Sequence, residues 1–204
     1  MTKAQKITLW IHTVLRLFII GAAVIAIFNN DWASLMLAIL IFILTFLPSL
    51  VSRTIDLHYP SAFEVFGVLF IYASLYLGEI HKFYTKFWWW DVVLHMTASL
   101  AFGAVGFSLV YVLNASKKRA VKLSPFFISM FAFTFAISLG VLWEVIEFAL
   151  DAFLGLNMQK SGLRDTMGDL MVDSLGAFLI SGLGYGYVKK GYDPFRDIAK
   201  KLSK

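Results

Sequence analysis

PFFISMFAFTFAISLGVLWEVIEFALDAF, residues 125–153, is the stretch on which the fold turns. Its first nineteen residues, Pro125 to Trp143, contain no charged side chain. At about 1.5 Å rise per residue a helix of that length nearly spans a hydrocarbon layer about 30 Å thick. Its apolar residues cover every face rather than one stripe, which suits lipid on all sides and not a soluble amphipathic helix. Glu144, Glu147 and Asp151 then enter the run near its end.

Five more stretches read the same way. They run over roughly 11–28, 32–51, 61–77, 91–113 and 166–188, each close to the ~20 apolar residues that a crossing needs. Composition agrees. Of 204 residues 59% are hydrophobic, 17% aromatic and 15% charged, where a soluble domain is about 25% charged. Too few polar side chains exist to cover a water-facing globule, and the same figures exclude disorder, collagen and disulfide scaffolds. Without cysteine there is no disulfide, thiolate metal site or catalytic thiol. No alternating pattern suggests a β-barrel. The expected architecture is an all-α polytopic membrane protein, a six-helix bundle forming a single domain over residues 1–204. Lys3 and Lys6 before an apolar run resemble a signal peptide, but Arg16 interrupts the run, which reads as an uncleaved first span.

Orientation follows from the cations. With the N-terminus inside, thirteen Lys and Arg residues fall on the inner side and four (Lys82, Lys86, Lys160, Arg164) outside, with Arg16 within the first span. Both termini are therefore expected in the cytoplasm, in a bacterial or archaeal plasma membrane. The net charge of +5 needs no nucleic-acid partner, since the basic tail suits anionic lipid. Trp88, Trp89 and Trp90 form an interfacial belt. Ala132, Ala136 and Gly140, Ser99 and Gly103, and Gly182 and Gly186 are spaced for close helix packing, the last pair within the bundle or between copies in a homo-oligomer. Arg16 is placed to snorkel to the near interface, or, with His12, to pair with Glu64.

The acids are sorted too. Asp31, Glu79, Asp91, Glu144, Glu147, Asp151, Asp165, Asp169 and Asp173 fall on the outer side, and Asp56, Glu64, Asp193 and Asp197 inside. Asp91 and His95 are i, i+4; Glu144 and Glu147 are i, i+3; Asp165, Asp169 and Asp173 make an i, i+4, i+8 stripe. At 1.5 Å per residue, His95, Glu144 and Asp173 reach similar depth on three helices. Carboxylates there cost about 2.5–3.5 kcal/mol each on insertion scales and need protonation, water or a bound cation. Carboxylate oxygens suit Mg²⁺, Mn²⁺ or Ca²⁺, and a histidine among them admits Zn²⁺. The expected metal ligands are His95, Glu144, Glu147, Asp165, Asp169 and Asp173; the expected catalytic group is His95 with Asp91 orienting it and Glu144 beside it. The plainer alternatives are that Asp91 and Asp165 cap their helices, that His95 is a hydrogen-bonded interior histidine, and that water solvates Glu147 and Asp151. Serine-hydrolase, P-loop and zincin motifs are absent.

Two segments carry a resemblance. W-W-D-V-V-L-H runs from Trp89 to His95. W-E-V-I-E-F runs from Trp143 to Phe148 and continues through Asp151 and N-M-Q (Asn157 to Gln159) to D-T-M-G-D-L-M-V-D-S-L-G-A, Asp165 to Ala177. Over residues 85–188 the chain resembles the YjdF-like family of uncharacterised multi-pass bacterial membrane proteins, and more distantly the VanZ-like family linked to glycopeptide resistance. VanZ-like proteins typically carry Gln where Glu147 stands and Asn where Asp173 stands. The resemblance implies a plasma-membrane protein and the same polar site, without an activity. Three functions fit these residues: a divalent-metal enzyme acting on a lipid-linked or phosphate-bearing substrate at the outer leaflet, a cation or proton transporter using the same cavity, and a non-catalytic scaffold.

Overall fold

The computed structural model describes residues 3–47, 50, 61–115, 122–155 and 157–190. Every regular element among them is helical. In chain order these are α1 (Lys3–Phe28), α2 (Trp32–Leu44), α3 (Ser61–Ile71) running into a π-helical segment (Tyr72–Ile80), α4 (Phe83–Lys86), α5 (Trp90–Ala115), α6 (Pro125–Leu154) and α7 (Leu163–Lys189). Four stretches are long and apolar enough to cross a membrane: Lys6–Phe28, Trp90–Tyr111, Pro125–Phe153 and Leu163–Lys189. Trp32–Leu44 and Val65–Ile80 are shorter apolar helices. Arg53, Asp56, His58, Lys117 to Arg119 and the charged residues after Lys190 lie outside the described residues, as does the side chain of Glu64.

The chain divides into two compact units, Met1–Trp90 and Asp91–Lys204. In the first, the helix expected to continue from Trp32 to Val51 instead stops at Leu44. Pro48, four residues on, has no N–H for the Leu44 carbonyl, and contacts from α1 secure the end. The Thr45 hydroxyl donates to the Phe42 carbonyl at 2.7 Å and accepts from Arg16 Nε at 3.0 Å. Arg16 Nη2 donates to the Thr45 carbonyl at 3.1 Å, and the guanidinium lies 3.7 Å from the centre of the Phe46 ring. Arg16 thus reaches across from α1 to cap the C-terminal end of α2, where a cation is favoured, rather than snorkelling to an interface. At the other end of α2, Asp31 accepts from the Ser34 hydroxyl (2.7 Å) and amide (3.0 Å), which hold its carboxyl below the ordinary value. Ile19, Ala38, Ile41 and Tyr76 form the core of this unit. The widened π turns set Tyr72 against Tyr76, ring centres 4.5 Å apart, and let the Tyr76 hydroxyl donate to the Phe18 carbonyl at 3.3 Å.

The second unit is built from α5, α6 and α7. Its polarity is inverted relative to a soluble bundle. The buried residues of α7 are Asp169, Asp173, Gly176, Ala177, Ser181 and Gly184, whereas Met171, Phe178 and Leu183 are 70%, 65% and 71% exposed. An apolar exterior around a small and polar interior is the arrangement for helices solvated by lipid, where close packing replaces hydrophobic burial. Helices α5 and α7 lie close because Gly176 faces Ser99 and the Met96 carbonyl, Gly184 faces the Phe107 ring, and Gly103 faces Ile180. Gly106 of α5 meets Phe135 of α6. The Ala132, Ala136 and Gly103 contacts agree with the expected small-residue ridges. Gly182 and Gly186 differ: a side chain at either would meet nothing within 4 Å. The end of the unit away from its acids is closed by Phe107, Val110, Ile128 and Ala132, with Tyr111, Leu123, Phe131, Tyr187 and Val188 around them.

Glycine substitutions separate these positions. A Cβ at Gly184 would stand 2.6 Å from Phe107 Cδ2. Gly184→Ala is expected to destabilise by about 1–3 kcal/mol, the usual range for overpacking. Gly182→Ala and Gly186→Ala are expected to leave thermal melting in detergent unchanged. Equal losses at all three would contradict this packing.

Candidate metal centre

Helices α5, α6 and α7 each turn acids inward at the same end of the second unit. On α7 the i, i+4, i+8 spacing places Asp165, Asp169 and Asp173 along one inward face, Asp165 half-buried and the other two buried. On α6, Gly140, Glu144 and Glu147 follow one another on the inner face. On α5, Asp91 precedes His95 by one turn and Ser99 follows it by one. The exposures are 7% for His95, 4% for Glu144, 5% for Asp169 and 3% for Asp173.

His95 stands at the centre. Its Nδ1 lies 3.2 Å from Asp173 Oδ2. Its Nε2 lies 3.8 Å from Asp91 Oδ1 and 3.8 Å from Glu144 Oε1. The first distance is a hydrogen bond; the other two are too long for one. Asp173 is itself fixed. Ser99 Oγ donates to its backbone carbonyl at 2.5 Å. Its carboxylate occupies the space where Gly140 has no side chain, so that any Cβ there would run into it. Gly140 therefore admits a buried acid, a role that its place in a small-residue ridge does not reveal.

The connection between α6 and α7 reaches these groups. Asp151 accepts from the amides of Met158 (2.7 Å) and Gln159 (2.8 Å). The Gln159 side chain donates to Thr166 Oγ1 at 2.7 Å. The Lys160 amide donates to Asp165 Oδ2 at 3.2 Å, and its Nζ lies 3.5 Å from Asp91 Oδ2. Asp91 and Asp165 both sit in the first turn of their helices, where acids are favoured, and both also meet Lys160. Asp151 organises a loop rather than meeting water alone. Glu147 is buried and accepts from Trp143 Nε1 at 2.9 Å. Arg164 is exposed.

Both oxygens of Glu144 are buried without a hydrogen-bond partner. A buried carboxylate so placed is costly unless something else satisfies it. One donor atom each from His95, Glu144 and Asp169 lie within 4.8 Å of one another, and so do donors from Asp91, Asp165 and Asp169. Two ligands about 2.1 Å from a shared tetrahedral metal stand about 3.5 Å apart, so the 3.8 Å between His95 Nε2 and Glu144 Oε1 fits a shared cation better than a direct bond. The donor set of one imidazole and carboxylates suits Zn²⁺ or Mn²⁺. Asp173 belongs to neither donor group and holds the opposite nitrogen of His95. Glu147 likewise belongs to neither.

The chain matches, over residues 11–190, the family described as "Predicted membrane protein (DUF2238)". A protein of Thermotoga maritima named "Uncharacterized protein" is 31% identical over 115 residues. That similarity covers 56% of this chain and 57% of the relative. No solved structure matches.

The Asp151 loop yields a direct prediction. Removing the acceptor frees two amides, each bonded to a charged group and worth about 1.5–3 kcal/mol. Asp151→Ala should speed hydrogen exchange at Met158 and Gln159 by about tenfold or more and leave the α6 interior near Ile128 protected. Unchanged exchange at the two amides would refute this role.

Proposed function

We propose that this chain, which belongs to the predicted membrane protein family DUF2238, is a plasma-membrane enzyme that binds a divalent cation and acts on a lipid-linked or phosphate-bearing substrate at the outer leaflet. The observation that carries the reading is the Glu144 carboxylate, buried, with the Thr166 hydroxyl near but no well-formed hydrogen bond, and within ligand distance of His95 and Asp169. A membrane interior tolerates such a charge poorly, so its retention points to a ligand.

Topology supports the outward placement. We read six crossings with both termini cytoplasmic, the apolar run after Trp32 and the Val65–Ile80 helix supplying two of them. The end of the second unit that holds the acids carries Lys160 and Arg164, while the opposite end carries Lys122, Lys189 and Lys190. The positive-inside rule puts the second end in the cytoplasm. Phe107, Val110, Ile128 and Ala132 seal that end of the unit. A transported cation would have to cross them, so a site open to one side is favoured over a path.

In this reading each residue has a task. An ionised Asp173 can only accept, so its bond to Nδ1 fixes the proton there and turns the Nε2 lone pair toward Glu144 and Asp91. Ser99 and Gly140 hold Asp173 in place. Glu144 and Asp169 supply the negative charge that a cation needs. A cation so held polarises a phosphoryl oxygen or lowers the pKa of a bound water. The D-x-x-x-H helix of the YjdF-like resemblance supplies the imidazole, and the D-x-x-x-D helix the carboxylates.

Thermal melting with and without metal tests the reading. Mn²⁺ or Zn²⁺ should raise the melting temperature of the wild type by several degrees, and Glu144→Gln should abolish that shift. In chelator, Glu144→Gln should melt at or above wild type, because it removes an unsatisfied charge. A variant that melts lower in chelator and keeps its metal shift would identify Glu144 as structural and overturn the proposal. Metal-dependent phosphate release from a lipid phosphate in the same nanodisc, lost in His95→Ala, would establish the reaction class.

A further inference from the structure

We propose that the cluster holds two divalent cations that share Asp169. The proposal rests on the reading of the first site as a metal site and extends it.

Two donor groups meet at one residue. The first is His95, Glu144 and Asp169, all buried; the second is Asp91, Asp165 and Asp169, the first two half-buried. A carboxylate has two oxygens and can serve one cation with each. Asp169 is 5% exposed, and among the described residues its carboxylate receives no hydrogen bond. It lies between the deeper group and the outer one, one helical turn from Asp165 and one from Asp173. An acid that only decorated the helix would have no reason to be buried there unpartnered.

Charge points the same way. Asp91, Glu144, Glu147, Asp165, Asp169 and Asp173 gather at this end, and among the described residues the lysine that pairs with them is Lys160, on Asp91. Fully ionised, six carboxylates and one ammonium leave five negative charges. One divalent cation leaves three and two leave one. The Lys160 ammonium, 3.5 Å from Asp91 Oδ2, with its own amide on Asp165, already brings positive charge to the outer group. It acts as the partial substitute for the outer cation and gives way when that cation binds. A pair of metals bridged by a carboxylate suits in-line displacement at a phosphorus centre, where one cation activates the attacking oxygen and the other stabilises the leaving oxygen.

Mn²⁺ titration of the full chain in phosphatidylcholine nanodiscs, followed by electron paramagnetic resonance, tests this. The fall of the free-ion signal counts bound ions, and the bound spectrum reports coupling between them. The expected result is two Mn²⁺ per chain with an exchange-coupled spectrum, and one uncoupled Mn²⁺ in Asp165→Asn. Lys160→Gln should keep two and bind the second at least threefold more tightly. The wild-type spectrum alone reads the shared carboxylate, so the test survives if a variant fails to fold. One Mn²⁺ per wild-type chain, or two without coupling, overturns the shared centre and leaves the single-metal reading standing. No bound Mn²⁺ overturns both.

Discussion

His95 and Asp173 meet at 3.2 Å between two helices whose outer faces are almost wholly apolar. That contact constrains everything around it. A lone carboxylate in the interior of a membrane helix costs about 2.5–3.5 kcal/mol. Asp173 is therefore tolerable only because α5 delivers an imidazole, Ser99 secures its carbonyl, and Gly140 leaves room for its oxygens. Close packing of α5 on α7 at Gly176 brings the two helices near enough for this, and the same packing presses Glu144 and Asp169 toward the other side of the ring. The interior of the unit is thus organised by polar contacts, with the apolar seal at Phe107 and Ile128 beyond them.

Once one nitrogen of His95 is occupied, the other faces carboxylates at distances that no hydrogen bond spans. The buried Glu144, with no well-formed hydrogen bond, is the counterpart of that gap. In the proposed reading a cation would reconcile the two, taking the imidazole lone pair and the carboxylate charge at once. The Asp151 loop and Lys160 bound the acidic end of the unit.

Much of this was legible in the residues. Hydropathy shows the long helices, and the i, i+4 and i, i+3 spacings of Asp91 with His95, Glu144 with Glu147, and the Asp165 stripe place these acids on inward faces. Spacing along one helix, however, says nothing of distance between helices. It favoured Asp91 as the partner that orients His95, because the two share a face, while the hydrogen bond is made across the interface by Asp173. It left solvation open for Asp151, and for Glu147 as the alternative to metal binding; these accept from a loop and from Trp143. The end of α2 at Leu44 follows Pro48, which hydropathy alone passes over, and the contact of Arg16 with Thr45, twenty-nine positions apart, lies beyond any local pattern. Gly182 and Gly186 look like a packing ridge because small residues recur every turn, yet the face that packs is that of Gly176 and Gly184.

Anomalous diffraction from crystals of the full chain grown with Mn²⁺ is the most direct test of a metal centre. A peak bounded by His95 Nε2, Glu144 and Asp169, with Asp173 still on Nδ1, is the predicted result. Well-ordered density for these side chains with no anomalous peak among them, or a Glu144 carboxylate turned to a protein donor instead, would contradict it.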